Sequence, residues 1–175
     1  MITIIHNTTP LQIRPVNQAD LEAVLEVYRQ CEDFLALGPV PTASMAMVRS
    51  DLELSKNIGA TFCGIHALEG SLSGRTGMIG VLDYVPNHYQ GNPQAAYLSL
   101  LMIAAPFRGR GIGEAVVAAV EAEIKKDASV NVILAGVQVN NSGAIRFWQR
   151  MGYRITSAPK LYPDGTTAVD LQKDL

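Results

Sequence analysis

The stretch from Tyr97 to Gly113 constrains this chain more than any other. Residues 97–104, YLSLLMIA, form an apolar, strand-like run. Arg108-Gly109-Arg110-Gly111-Ile112-Gly113 comes next, and a helical run from Ile112 to Lys126 follows. A strand feeding a glycine-rich turn with arginines, and then a helix, describes an anion site. Backbone N–H groups in a first helical turn lack intrahelical partners, and the macrodipole places partial positive charge there. Glycines let a phosphate reach that backbone without a Cβ in the way.

Spacing narrows the choice of phosphate. A P-loop needs Gly, four residues, then Gly-Lys-Ser/Thr, and no such Lys follows here. A dinucleotide fingerprint needs a third glycine or alanine where this chain has Glu114 or Val116. What remains is Arg108-x-x-Gly111-x-Gly113. A second block lies downstream: Val137-x-Val139-x-Asn141-x-x-Ala144-Ile145-x-Phe147-Trp148-x-Arg150-x-Gly152-Tyr153. In this order and separation the two blocks resemble the acetyl-CoA-binding motifs of the GNAT superfamily of N-acetyltransferases. The resemblance covers residues 60–175 well, and the N-terminal third by general pattern alone.

The resemblance implies one domain, 1–175, with a GNAT-like acyl-CoA N-acyltransferase fold. That fold is a mixed α/β arrangement: a central, mostly antiparallel sheet flanked by helices, its two motif strands splayed around a pantetheine arm. It also implies acetyl-CoA as cosubstrate, with no metal. The pyrophosphate would sit on the N–H groups of Gly109, Gly111, Ile112 and Gly113, with Arg108 and Arg110 supplying charge through their planar forks. Pantetheine amides would pair along Leu101, Met102 and Ile103, with an N–H of Met102 or Ile103 facing the oxyanion. Asn141 reads either as a cofactor ligand or as the N-cap of its helix. Phe147 and Trp148 form the aromatic pair of the second motif and join the cofactor set.

Composition sets the frame for these motifs. With 175 residues, 48% hydrophobic and 17% charged, the chain suits one globular core. Its apolar runs are too short for a membrane span. The opening MITIIHN lacks the basic flank and long apolar stretch of a secretory signal, which points to a cytoplasmic protein. Net charge of −2 offers no general attraction to nucleic acid or anionic lipid. Cys31 and Cys63 lack metal-ligand spacing and read as buried thiols.

Periodicity predicts strands at Leu11–Val16, Thr61–Leu68, Thr76–Val85, Val130–Val139, Tyr153–Thr156 and Thr166–Gln172. Ser71-Leu72-Ser73-Gly74 reads as the turn of a hairpin. Helices are predicted from Gln18 to Phe34, Ser44 to Lys56 and Ser142 to Met151, with Gly38-Pro39-Val40-Pro41 as a breaker. The last strand either completes its own sheet or pairs across a homodimer.

Acetyl transfer needs a neutral amine, a stabilised oxyanion and a proton for the departing thiolate. An alkyl amine with a pKa of about 10.4 costs about 4–5 kcal/mol to deprotonate at pH 7, and an α-amino group only about 1–1.5. General-base candidates are Asp83, Tyr84 and Tyr97, with Ser99, Glu32, Asp33 and His88 behind them. Many relatives in the resembling superfamily carry a tyrosine in the aromatic pair as general acid. Trp148 stands in that place here, and an indole N–H cannot supply a proton. Tyr153 and Tyr162 would serve only by folding inward. The favoured acceptor is a primary amine of a small molecule. A protein N-terminus or lysine, or a non-catalytic acyl-CoA sensor, are the alternatives.

Overall fold

The computed structural model describes residues 1–68 and 77–175. Its strands are β1 (Ile2–His6), β2 (Thr9–Pro15), β3 (Thr61–Ala67), β4 (Gly77–Val85), β5 (Ala95–Ile103), β6 (Val132–Gln138), β7 (Arg154–Ile155), β8 (Lys160–Leu161) and β9 (Thr167–Asp174). Its helices are α1 (Leu21–Arg29), α2 (Glu32–Leu35), α3 (Met45–Asn57), α4 (Ile112–Ile124) and α5 (Ser142–Arg150). The strands form one sheet in the order β1-β2-β3-β4-β5-β6-β9-β7, with β8 also on β9. The pair β5–β6 is parallel and the other pairs are antiparallel. The final strand therefore completes its own sheet. The turn expected at 71–74 lies outside the described residues.

Two departures from the periodic reading have clear causes. The N-terminal strand β1 has no counterpart among the predicted strands. Ile2 and Ile4 face the core, and their partners are residues of β2. Its turn uses Asn7 and Thr8 at φ 46° and 70°, and a β-branched residue gives no turn signal there. The long helix predicted over 18–34 is divided. Asn17 and Asp20 form a capping box around a 3-10 turn at 18–20, and α1 then runs to Arg29. At Gln30 the backbone carbonyl accepts from Ala105 N–H, and Cys31 Sγ–H points at the Ile103 carbonyl, 3.5 Å away. These long-range bonds turn the chain out of the helical ladder before α2 begins.

The sheet separates two apolar layers. Against one face, α4 and α5 bury Val116, Val117, Val120 and Trp148 on Leu82, Leu98, Ile133 and Leu171. Against the other, α1 and α3 bury Val24, Tyr28 and Val48 on Val81 and Met102. Each such fully buried side chain contributes about 1.5–3 kcal/mol relative to exposure. A bulge in the β4–β5 ladder skips Ser99, because Tyr84 pairs with Leu98 and Asp83 with Leu100. The alternation of β5 flips there. Leu98 and Leu101 share the α4 layer, while Leu100 and Met102 join the α1 layer.

The parallel ladder of β5 and β6 is short. It runs from Ala95–Val132 to Leu98–Ala135 and stops, although β5 continues to Ile103 and β6 to Gln138. Beyond the bulge the two strands diverge, and among the described residues no strand lies along that edge of β5. This fork is the feature that positions everything below.

Candidate active site

The fork opens into a cavity of about 710 Å³. Leu101, Met102 and Ile103 of β5 line one wall, and Asn141, Ala144, Phe147 and Trp148 of α5 line the other. Arg108, Gly109, Gly111, Ile112 and Gly113 close one end. Of the residues that the sequence assigns to the cofactor, only Arg110 is missing from this lining. Its backbone carbonyl instead accepts a hydrogen bond from His6 Nε2 at 2.6 Å, which ties the tip of β1 to the turn.

The turn is built by its glycines. Gly111 caps α4 at φ 76°, a left-handed conformation that β-branched residues avoid, and a Cβ there would meet His6 Cε1 at 3.2 Å. A Cβ on Gly113 would sit 3.5 Å from the Phe147 ring, an ordinary packing distance, so the first turn of α4 and the Phe147 ring stand side by side in the cavity lining. Asn141 caps α5: its side chain accepts from Ala144 N–H at 2.9 Å, which leaves its amide donors free while it lines the cavity. Trp148 is 7% exposed, edge-on to both Phe147 and Tyr153.

Arg108 is engaged within the protein. Its Nε donates to the Ile103 carbonyl at 2.7 Å, and its two terminal nitrogens hold both carboxylate oxygens of Asp33. The guanidinium beside Asp33 holds that carboxyl below its usual range. The pair ties α2 to the glycine turn across a separation of 75 residues. Asp33, Phe34 and Leu37 consequently line the cavity as well, which no local signal in the sequence reveals.

The other face of the fork carries the base candidates. Tyr97 lies on β5 opposite the α4 layer, and its hydroxyl would sit 3.2 Å from a Cβ at Gly136. It therefore overhangs the point where the strands part. Its ring stacks on Tyr89 with centroids 4.2 Å apart. Burial raises the Tyr97 pKa first, and neighbouring Tyr89, Tyr162 and Asp170 add to that rise. Asp83 is 5% exposed, and its carboxylate accepts from the Ser55 hydroxyl at 2.7 Å and from the Ser99 hydroxyl. It pins α3 to the bulge. Tyr84 points the opposite way, half-buried against the α4 layer. The Tyr153 hydroxyl donates to Glu121 at 2.9 Å inside the core, so it does not fold into the fork.

On the face opposite α4, the helices α1 and α3 pack over β3, β4 and β5. Over β6 and β9 a smaller cavity of about 310 Å³ opens, bounded by Leu37–Pro39, Gln138–Asn140 and Asp164–Thr167. Leu37 borders both cavities, and its carbonyl accepts from the Asn140 side chain at 3.0 Å. Among the described residues, no group of three or more His, Cys, Asp or Glu could hold a metal, and no helix is long and apolar enough to cross a membrane.

Known proteins match this geometry. Residues 22–153 match the acetyltransferase (GNAT) family. An uncharacterized N-acetyltransferase of Methanocaldococcus jannaschii is 40% identical over 90% of this chain and 87% of that protein. The chain spans only 39% and 59% of two other curated relatives, from Drosophila melanogaster and Danio rerio. The crystal structure of an acetyltransferase from Thermus thermophilus superposes with a TM-score of 0.74 at 22% identity, covering all of both chains. The spermidine N-acetyltransferase of Vibrio cholerae, solved with CoA and spermine, gives 0.68 at 12% identity over 94% of this chain and 95% of that one. The family match and these relatives, with the glycine turn and forked strands, place the chain in the GNAT acetyltransferase family, as an acetyl-CoA-dependent N-acetyltransferase.

Proposed function

We propose that the protein moves the acetyl group of acetyl-CoA onto a primary amine of a small molecule, by direct attack in a ternary complex. The observation that carries this reading is the fork, which holds the larger cavity, with the smaller one beside the end of β6 and Leu37 bordering both. A thioester threaded through the larger cavity would present its carbonyl carbon where the strands part. An amine entering from the side of the smaller cavity would meet it there.

In this reading the N–H groups of Gly109, Gly111, Ile112 and Gly113 hold the pyrophosphate at the start of α4. The pantetheine amides pair with the free edge of β5 at Leu101, Met102 and Ile103, as an added strand would. Phe147 and Trp148 pack against the arm, and the Asn141 amide donates to it. Arg110 supplies charge from outside the cavity. Arg108 acts mainly by holding the turn against Asp33.

The amine lone pair attacks the thioester carbon, and the oxyanion forms beside an N–H of Met102 or Ile103. The C–S bond then breaks, the new amide gives up its proton, and the thiolate takes one from solvent. Tyr97 is the group nearest the junction and relays the amine proton, directly or through one water. Asp83 holds the bulge that sets this geometry.

Incubation with acetyl-CoA, a thiol reagent and a panel of amines tests the proposal. Thiol release that depends on a small primary amine is the expected result. Release only with peptides bearing a free N-terminus would move the acceptor to protein. Release that no amine stimulates would leave an acyl-CoA-binding module.

A further inference from the structure

Gly136 is exposed on β6 and its missing side chain leaves a notch at the mouth of the fork. Its register partner on β9 is Asp170, so the Asp170 carboxylate rises from the same face of the sheet, directly across from the notch. Tyr97 overhangs the notch from β5, and Tyr89 stacks behind it. Tyr162 and Asp170 are close enough to both phenols to oppose their ionisation. Lys160 already places an ammonium 3.6 Å from the Asp170 carboxylate, in a pair that is 66% and 46% exposed. An ammonium group therefore fits there and can be exchanged.

Gln138 lies on the same face of β6 as Gly136. It is two residues further on, about 7 Å away at the usual strand rise, and lines the 310 Å³ cavity. Its side-chain carbonyl oxygen is buried and, among the described residues, has no hydrogen-bond partner. A buried acceptor left unpaired is costly, and a ligand N–H or O–H would satisfy it. The Asp170 carboxylate only accepts, the orphaned Gln138 oxygen lacks a donor, and the phenols can accept as well as donate. A ligand with a donor at each end matches the carboxylate and the orphaned oxygen together.

Resting on the acetyl-transfer reading above, we propose that the open face at Gly136 binds an aliphatic diamine or a similar amine with a second donor. The ammonium to be acetylated docks between Asp170 and Tyr97 and gives up its proton before attack, and the second donor reaches towards Gln138, two residues further along β6. The site selects acceptors by charge at Asp170 and by length at Gln138.

Calorimetry on the protein saturated with free CoA, which cannot react, tests the subsite apart from the chemistry. The probes are 1,5-diaminopentane, n-pentylamine and a tripeptide with a free α-amino group. The diamine should bind tightest to the unaltered protein. Asp170→Asn should weaken it about tenfold, the scale of one charged hydrogen bond. Gly136→Val should abolish its binding by filling the notch, and Gln138→Leu should erase its advantage over pentylamine. CoA affinity should stay within about twofold in all three variants, which also reports that they fold. Diamine binding unchanged in both Asp170→Asn and Gly136→Val overturns the proposal. So does tightest binding of the tripeptide, or no diamine binding at all. Acetyl transfer to the diamine, measured in parallel, separates the two claims. Binding that depends on Asp170 without transfer removes the enzyme reading and keeps the subsite. Transfer that ignores Asp170 removes the subsite alone.

Discussion

The two sides of the fork are built from different materials. The proposed cofactor side is backbone: the glycine turn before α4, the bare edge of β5 and the capped start of α5. Backbone sites are made by residues adjacent in sequence, so their spacing is visible as a motif. The proposed acceptor side is side chain: Tyr97 on β5, Gly136 on β6, Asp170 on β9 and Gln138 beyond them. Those residues come together only because the sheet order places β9 beside β6 and β6 beside β5. A pattern of one generic chemistry is local in the chain. A pattern of substrate choice is dispersed, and that is the division to test.

The largest expected effect falls on the acceptor side. Tyr97→Phe removes one hydroxyl from the junction while keeping the ring that stacks on Tyr89. If that hydroxyl relays the amine proton, kcat should fall on the order of a hundredfold, the usual scale for a positioned proton carrier. The KM for acetyl-CoA should hold steady, because the ring lies on the face opposite the α4 layer. Steady-state kinetics with both substrates varied would show it, and a matching rise in acetyl-CoA KM would blur the division between the sides.

The counterpart on the cofactor side is Gly111→Val. The positive φ and the nearby His6 ring make that position strained for a branched residue by about 1–3 kcal/mol. Released as a distorted turn, this strain should weaken CoA binding about tenfold to a hundredfold. Calorimetry should find normal affinity only if the phosphates lie elsewhere, and circular dichroism would confirm that the variant is folded.

The same division explains what the sequence made legible. The central strand, the helix after the turn, the β6 strand and α5 all lie within a few residues of their predicted spans, because each rests on local periodicity and a local cap. The halt of the predicted first helix at Arg29 was not legible, since Gln30 and Cys31 answer to Ala105 and Ile103 across the fold. Trp148 and Asn141 were visible through their motif. The ion pair of Asp33 and the register position of Asp170 were not, because a carboxylate at a helix end or on the open face of a strand reads as solvated until its partner is known. The fork itself came only as an implication of the resemblance; the early end of the β5–β6 ladder is a tertiary fact.

The bridge between the sides is Arg108–Asp33, and Asp33→Asn should sharpen its role. The carboxylate oxygens accept from both terminal nitrogens of Arg108, and losing the charge should loosen α2 and Leu37 above the small cavity. The expected result is a rise of about threefold to tenfold in acceptor KM, the scale of a partly exposed charged contact. CoA affinity should change little. Were it to rise instead, the freed guanidinium would be a phosphate ligand held back by Asp33. The pH dependence has a definite sign. Because Asp33 titrates below the usual carboxylate range, the bridge contributes fully above an unfolded pKa near about 3.9 and is lost as pH falls through the depressed folded value.

The smallest effect should come from Trp148→Tyr, the change that restores a phenol to the aromatic pair. A thiol with a pKa of about 8.5 is only about 1.5 units above neutral, so its anion departs without much help from an acid. The indole is packed edge-on between Phe147 and Tyr153 at centroid distances of 5.1 and 4.9 Å, and a smaller ring would leave space in that stack. The expected outcome is a lower Tm with kcat changed by less than about threefold, well short of a positioned acid's usual contribution. A tenfold gain in kcat would mean that thiolate departure limits turnover, and that the proton donor missing at Trp148 is one the reaction needs.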